Sequence, residues 1–406
     1  MNALMLSPEP PYPLEGGGAF RIASLLHYFA RFADVDLILI SDSGAPALLP
    51  PGLVRTQHVI PLPHHNRGPF ARYLRNAGRA IRGVPPLVDR VSGLGASVER
   101  AIAGRHYDVG IVEHFWCAPY VEQLSRWCET TILDMHNIES VLDERCAQVS
   151  TGLVRAGHKR FAAASRRLES TLLPRYSLVL TASEEDAGSV RRIAPGARVE
   201  VYPNGLPWVE APHLAEFARV VFSGNFEYHP NIDAVAFLVR EIWPRVRRVY
   251  PDFRLRLVGR GDRFIRHLLP RGSVEQTGIE VTGPVADARS EIAQARVVVA
   301  PLRAGSGTRI KILEAWAAAR CVVATPLAAE GLAAKDGLNI TLASRAPEFA
   351  AEVVRLLDDS VARERIATNG RRTFDDLYSW EAVWKRMENI SQLTHHFRVN
   401  GYTGKT

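Results

Sequence analysis

Twice along this chain, short apolar runs alternate with longer amphipathic stretches, and no other feature restricts the possible fold as much. In the first half the strand-like runs are ALML (3–6), VDLILI (35–40), DVGIVEH (108–114), TTILDM (130–135) and LVLTAS (178–183). Helical stretches lie between them near 19–32, 117–127, 139–173 and 184–193. In the second half VVFSG (220–224), RLRLVG (254–259), IEVTG (279–283), RVVVA (296–300) and CVVAT (321–325) repeat the pattern. Their helical partners fall near 230–248, 286–294, 308–319, 346–358 and 361–374. Alternation of this kind builds βαβ units on parallel sheets covered on both faces. At 406 residues the chain is too long for one core and suits two. The expected fold is therefore α/β, with two tandem Rossmann-like domains and an interdomain cleft. We expect an N-terminal domain over 1–205, a C-terminal domain over 206–378, a helix over 379–395 crossing back to the first domain, and a tail over 396–406. The segment 41–69, rich in Pro, Gly and Ser, reads as loop, and YPNGLPWVEAP (202–212) as the hinge.

Composition narrows the class. With 47% hydrophobic and 23% charged residues, the chain is neither disordered nor fibrous. Its net charge of +7 is spread along the length, with no basic stripe interleaved with aromatics, so no nucleic acid is expected as a partner. Only five of the 50 basic residues are lysines (159, 311, 335, 385 and 405), so a lysine in a special place carries more information than usual. The four cysteines (117, 128, 146 and 321) have no metal-ligand spacing, and the histidines add none, so no metal is expected. The start of the chain has no basic leader, and no run approaches ~18 apolar residues, so a cytoplasmic protein with at most peripheral membrane contact is expected. RGPFARYLRNAGRAIRG (67–83) bears on this. On a helix it sets Arg72, Arg75, Arg79 and Arg82 on one face and Phe70, Leu74, Ala77 and Ile81 on another. Two readings stay open: an ordinary surface helix with a solvated Arg face, or a helix lying on the anionic inner face of the cell membrane.

Three segments carry the residue types that chemistry needs. PLRAGSGTRIKILEAWAAA (301–319) follows a strand, with Gly305, Ser306, Gly307 and Thr308 as a small-residue loop and Thr308 as a candidate N-cap. Arg309 and Lys311 then open a helix, where cations oppose the dipole unless an anion sits there. Lys311 and Glu314 share a face. Together they suit phosphate and sugar hydroxyls respectively, or form an incidental surface ion pair. EGGGAF (15–20), with Gly16, Gly17 and Gly18, lets backbone approach a phosphate or sugar, or is simply a flexible turn. It lacks the G-x-G-x-x-G spacing and the later ribose-binding acid of a dinucleotide site, which makes a dehydrogenase a poor reading. LDMHNIES (133–140) ends a strand with His136, placed either to hydrogen-bond a substrate hydroxyl or to serve as a satisfied loop histidine.

These motifs, taken in order with FSGNFEYHPNIDAV, LVGRG, VTGPV and CVVATPLAAEGL, resemble the retaining GT-B glycosyltransferases of family 4, from residue 2 to about 393. The resemblance implies a sugar nucleotide held mainly by the C-terminal domain and an acceptor held mainly by the N-terminal one. It carries His136 onto the family's strand-end histidine, Gly16 to Gly18 onto its donor-phosphate loop, and Glu314 onto the second of two glutamates eight apart, the ribose contact. The first of those glutamates falls on Ser306. The family's Arg and Lys, six apart after the first C-domain strand, fall on Asn225 and Asn231, which makes Arg309 and Lys311 the expected replacements. The function implied is transfer of a sugar from a UDP- or GDP-sugar to a glycan or lipid-linked acceptor in cell-surface polysaccharide biosynthesis, with no cofactor. Two alternatives are a non-hydrolysing sugar-nucleotide epimerase and a degenerate protein that binds sugar nucleotide without turnover.

Overall fold

Strands covered by helices on both faces must be apolar on both sides, and the core of the first unit shows it residue by residue. The computed structural model describes residues 1–64, 68–102, 104–285, 287–305 and 310–390. It divides into two compact units, Met1–Asn204 together with the chain from Val383 onward, and Gly205–Ala382. The first holds strands β1 (Asn2–Ser7), β2 (Asp34–Ser41), β3 (Thr56–Pro61), β4 (Tyr107–Glu113), β5 (Cys128–Met135), β6 (Leu178–Thr181) and β7 (Val199–Val201). All pair in parallel, in the order β3-β2-β1-β4-β5-β6-β7. Leu4 and Leu6 of β1 join one buried cluster with Ile38 and Val112, while Ala3 and Met5 join the other with Leu37 and Ile111. The second cluster also takes in Val383 and Met387, and Trp384 donates from Nε1 to the Ser24 carbonyl at 3.1 Å, which anchors the returning chain to the helix Gly17–Ala30.

The second unit repeats the plan with β8 (Arg219–Ser223), β9 (Arg254–Val258), β10 (Ile279–Gly283), β11 (Val297–Ala300), β12 (Val322–Ala324) and β13 (Thr341–Leu342). Its order is β10-β9-β8-β11-β12-β13, again parallel. Both sheets reverse their winding beside their first strand, between β1 and β4 and between β8 and β11. There the following helices leave on opposite faces, and the loops at the carboxyl ends of the strands part to leave room for a ligand.

Several expectations need correction. The segment 41–69 is not all loop, because Thr56–Pro61 adds β3 to the edge of the first sheet. Its short length, polar residues and closing proline are what a protected edge carries, and they hide the strand from a search for apolar runs. The helix expected over 139–173 breaks into Glu139–Val149 and Gly152–Leu172. Gly152 takes a φ of 57°, and the Ser150 hydroxyl returns to the Cys146 carbonyl at 2.7 Å, ending the first helix. Pro119 turns the start of the helix expected over 117–127 into a 3-10 segment, Phe115–Tyr120. Helices at Pro86–Val91 and Gly95–Ile102 occupy a region with no expected element. The basic helix runs over Pro69–Arg82, and its Arg79 and Arg82 both pair with Asp89 while Leu74 and Ile81 stay exposed.

Trp316, fully buried in the second unit, donates from Nε1 to the Asn339 carbonyl at 2.9 Å. Trp316→Ala leaves a cavity and an unpaired carbonyl, and should cost about 3–5 kcal/mol. Thermal unfolding followed by circular dichroism checks this; an unshifted transition would contradict the packing described.

Candidate functional site

In the second unit the site grows from the switch point between β8 and β11. Beyond β8 the chain passes through Gly224 and Asn225 into the helix His229–Phe237. Gly259, after β9, has a φ of 141°, and a Cβ there would overlap the Gly224 carbonyl oxygen, so the two strand ends close on each other only without side chains. Asn225 accepts from the Glu227 N–H at its Oδ1 (3.0 Å), while its own carbonyl accepts from Asn231 Nδ2 at 2.8 Å. Asn231 is buried, and its Oδ1 accepts from Lys311 Nζ at 2.7 Å, across 80 positions of sequence. The same ammonium lies 4.6 Å from the ring centroid of Phe222. A buried amide oxygen and an aromatic face thus fix the position of a positive charge without supplying a formal negative one.

Lys311 is the second residue of the helix Ile310–Ala317, and Glu314 follows one turn later. The hydrogen bond of the ammonium goes to Asn231, while its charge is felt by Glu314. Glu314 is half-buried, and loss of hydration pushes its carboxyl above the usual range, with the nearby charges of Lys311 and Arg289 acting in the opposite direction. Gly305 has a φ of 121°, open to glycine and strained for other residues. Ser306, Gly307, Thr308 and Arg309 lie outside the described residues. Phe222 was not marked by the sequence, although its position, three residues before Asn225, could have drawn attention.

The first unit gathers its polar groups at the carboxyl ends of β1, β4 and β5. Gly16, Gly17 and Gly18 open the helix Gly17–Ala30, and its Arg21 is only 1% exposed. Arg21 donates from Nε and Nη2 to the two oxygens of Asp134 (2.7 and 2.5 Å), and from Nη1 to the Tyr202 carbonyl (2.6 Å) and Asn204 Oδ1 (2.8 Å). His136 Nε2 lies 2.9 Å from Glu113 Oε2 and 3.5 Å from Asp134 Oδ2. His114, at a φ of 64°, stacks on His136 with centroids 3.5 Å apart and on Trp116 at 4.2 Å. Its Nε2 is 3.4 Å from Glu9, and Glu9 and His114 crowd the space a side chain at Gly18 would need.

Burial raises the Glu113 carboxyl well above its ordinary value, reinforced by the charge of Asp134, and burial lowers His136 well below its own. Arg21, Glu113 and His114 went unmarked in the sequence, where the buried arginine reads like any other in an Arg-rich chain. Glu113, Asp134 and His136 bring their ligand atoms within 4.8 Å of one another, the spacing of a metal site. Arg21 already occupies both Asp134 oxygens and adds a fixed positive charge, which opposes a cation there.

With this geometry in hand, comparison with known proteins places the chain. Residues 218–359 match the family model described as glycosyl transferases group 1. A phosphatidyl-myo-inositol mannosyltransferase of Mycobacterium leprae is 31% identical over 208 residues, covering 48% of this chain and 54% of that protein. The chain thus spans about half the length of the curated relative it matches. Among solved structures, a sucrose-phosphate synthase from Thermosynechococcus elongatus superposes with a TM-score of 0.75 at 17% identity, covering 99% of this chain and 100% of that one. Anabaena HepE in complex with UDP superposes with a TM-score of 0.63 at 16% identity, covering 97% and 100%. The match to the group 1 glycosyl transferases lies within the second unit, and the two Rossmann-like units have the GT-B fold of these solved structures. Among the described residues no helix is long and apolar enough to cross a membrane.

Beside the ring stack, Trp116 Nε1 donates to Glu139 Oε1 at 3.0 Å. Burial, aided by the charges of Asp143 and Glu169, pushes the Glu139 carboxyl up to about 8. An acid raised on folding binds its proton more tightly in the native state, so its ionisation destabilises the fold progressively from the ordinary carboxylate range up to about pH 8. Glu139→Gln keeps an acceptor for Trp116 and removes that ionisation. Its melting temperature should rise relative to the parent between pH 5 and pH 8; an identical offset at both pH values would show that Glu139 does not titrate as described.

Proposed function

We propose that this chain is a retaining glycosyltransferase. It moves a sugar from a nucleoside-diphosphate sugar, UDP- or GDP-linked, to a glycan or lipid-linked acceptor in cell-surface polysaccharide biosynthesis. The observation that carries the reading is Lys311, whose ammonium is held by Asn231 and Phe222 at the carboxyl ends of β8 and β11, inside the segment that matches the family. Breaking the bond between the anomeric carbon and the β-phosphate oxygen leaves negative charge on the departing diphosphate. A cation fixed in advance stabilises that charge without rearranging as it forms. Lys311 takes this role together with Arg309 and the amides of Gly305, Ser306, Gly307 and Thr308. Asn225 helps through the Asn231 amide that its carbonyl holds.

Glu314 binds the ribose. Its half-buried carboxylate has no hydrogen-bond partner among the described residues, and two sugar hydroxyls would supply the missing donors. The donor reading is supported by HepE, whose structures hold UDP and UDP-glucose, and the lipid-linked acceptor by the phosphatidyl-myo-inositol mannosyltransferase. In the first unit, His136 faces the acceptor and the Gly16–Gly18 loop the donor phosphates. The acceptor oxygen attacks the anomeric carbon on the face the diphosphate leaves, so configuration is retained and the hydroxyl proton passes to the leaving phosphate oxygen. No metal is needed in this scheme. The protein works in the cytoplasm, and Leu74 and Ile81, exposed on the helix Pro69–Arg82, support peripheral contact with an anionic membrane.

Lys311→Ala should bind a UDP-sugar at least roughly tenfold more weakly by calorimetry and turn over roughly 10²–10³-fold more slowly, the loss typical of one oxyanion donor. Undiminished affinity in a folded variant would remove Lys311 from the diphosphate site. Glu314→Gln should weaken nucleotide binding while sparing the response to inorganic pyrophosphate, and an unchanged dissociation constant for the nucleotide would refute the ribose contact. Slow hydrolysis of the donor by the parent protein without acceptor separates a working enzyme from a binder without turnover.

A further inference from the structure

Two fully buried carboxyls, Glu113 and Asp134, stand beside one buried guanidinium, and the guanidinium serves only one of them. Arg21 gives its remaining donors to Tyr202 and Asn204, so none reaches Glu113. Glu113 Oε2 lies 2.9 Å from His136 Nε2, and Oε1 finds no donor, while ligand atoms of Glu113, Asp134 and His136 lie within 4.8 Å of one another. Two ionised carboxyls cannot share so enclosed a space with one balancing charge, and the one without Arg21 takes the proton. That proton has an acceptor in Asp134, whose charge and side-chain hydrogen bond both raise Glu113. His136 Nε2 faces an oxygen of each carboxyl, at 2.9 and 3.5 Å, which suits an N–H donor. Its Nδ1 has no hydrogen-bond partner among the described residues and is not among the buried orphaned atoms, so it is the ring nitrogen left accessible.

We propose that Glu113 is a positioning residue that works as a neutral carboxyl. It donates to Asp134, accepts from His136 Nε2–H, and so fixes His136 as the tautomer whose Nδ1 accepts a hydrogen bond from a substrate hydroxyl. The last step rests on the transferase reading above; the protonation and the tautomer do not. His114 keeps the ring plane by stacking on it, with Glu9 behind His114, so the charged or titratable groups around the imidazole are Glu9, Arg21, Glu113, His114 and Asp134.

Glutamine reproduces both hydrogen bonds of a neutral glutamic acid, with its amide donating to Asp134 and its carbonyl accepting from His136. Long-range proton–nitrogen correlation spectra of protein labelled at histidine should therefore show His136 neutral, with Nε2 protonated, in both the parent and Glu113→Gln near neutral pH. Infrared difference spectra between the two should show one protonated-carboxyl stretch lost in the variant. An imidazolium, an Nδ1-protonated ring, or a tautomer altered by Glu113→Gln would overturn the proposal. So would the absence of that stretch in the parent. These readings use no substrate and stand apart from any failure of the transferase assignment. In the transferase assay Glu113→Gln should stay within about threefold of the parent, while Glu113→Ala falls roughly 10- to 100-fold, the loss found when the carboxylate that orients a metal-bound histidine is removed. Equal loss in both variants would also overturn the proposal.

Discussion

A guanidinium shut away from water costs several kcal/mol unless every donor is met by a well-placed acceptor, and Arg21 meets that demand. Asp134 at the end of β5 takes two of its hydrogen bonds, and Tyr202 and Asn204 beyond β7 take the others. One side chain on the helix after β1 therefore ties that helix to the carboxyl ends of β5 and β7, across the switch point. Once Asp134 is committed to Arg21, Glu113 must find another way to be neutral, and His136 must meet both acids through one nitrogen. The arrangement of the first unit's polar groups follows from that single commitment.

The second unit solves a related problem with fewer charges. Positions 225 and 231 are both asparagines, and the cation beside them comes from the helix after β11. The ammonium of Lys311 comes to rest on the amide oxygen of Asn231. Parallel neighbours β8 and β11 make this approach geometrically easy, since residues following either strand converge on the same edge of the sheet. The asparagine thus has a part of its own there, because its oxygen orients the ammonium.

The apolar rhythm announced ten of the strands and missed β3, β7 and β13, for physical reasons. Central strands buried on both faces, such as Leu37–Ile40 and Val297–Ala300, are continuous apolar runs and stand out. The edge strand Thr56–Pro61 has one face and one side to protect, so its pattern is polar and interrupted. Lys311, Glu314 and His136 were legible because each lies just after a strand among small or polar neighbours. Glu113 and Arg21 were not, since one ends an apolar strand and the other sits inside an apolar helix, and only the packing of distant strands shows what they share. Asn231 was visible as a departure from a pattern, but its bond to Lys311 spans 80 positions and no local signal encodes it.

Glu314 and Glu113 have one property in common: each is raised by burial, and neither is matched to a cation by a hydrogen bond among the described residues. Such groups weaken a fold, and a chain under pressure only for stability would replace them with apolar residues of similar volume. Their different surroundings suggest different resolutions. Glu113 is sealed in and has a carboxylate beside it, so a proton is the partner within reach. Glu314 is half-open and has Lys311 one turn away, so a nearby cation favours its ionised form.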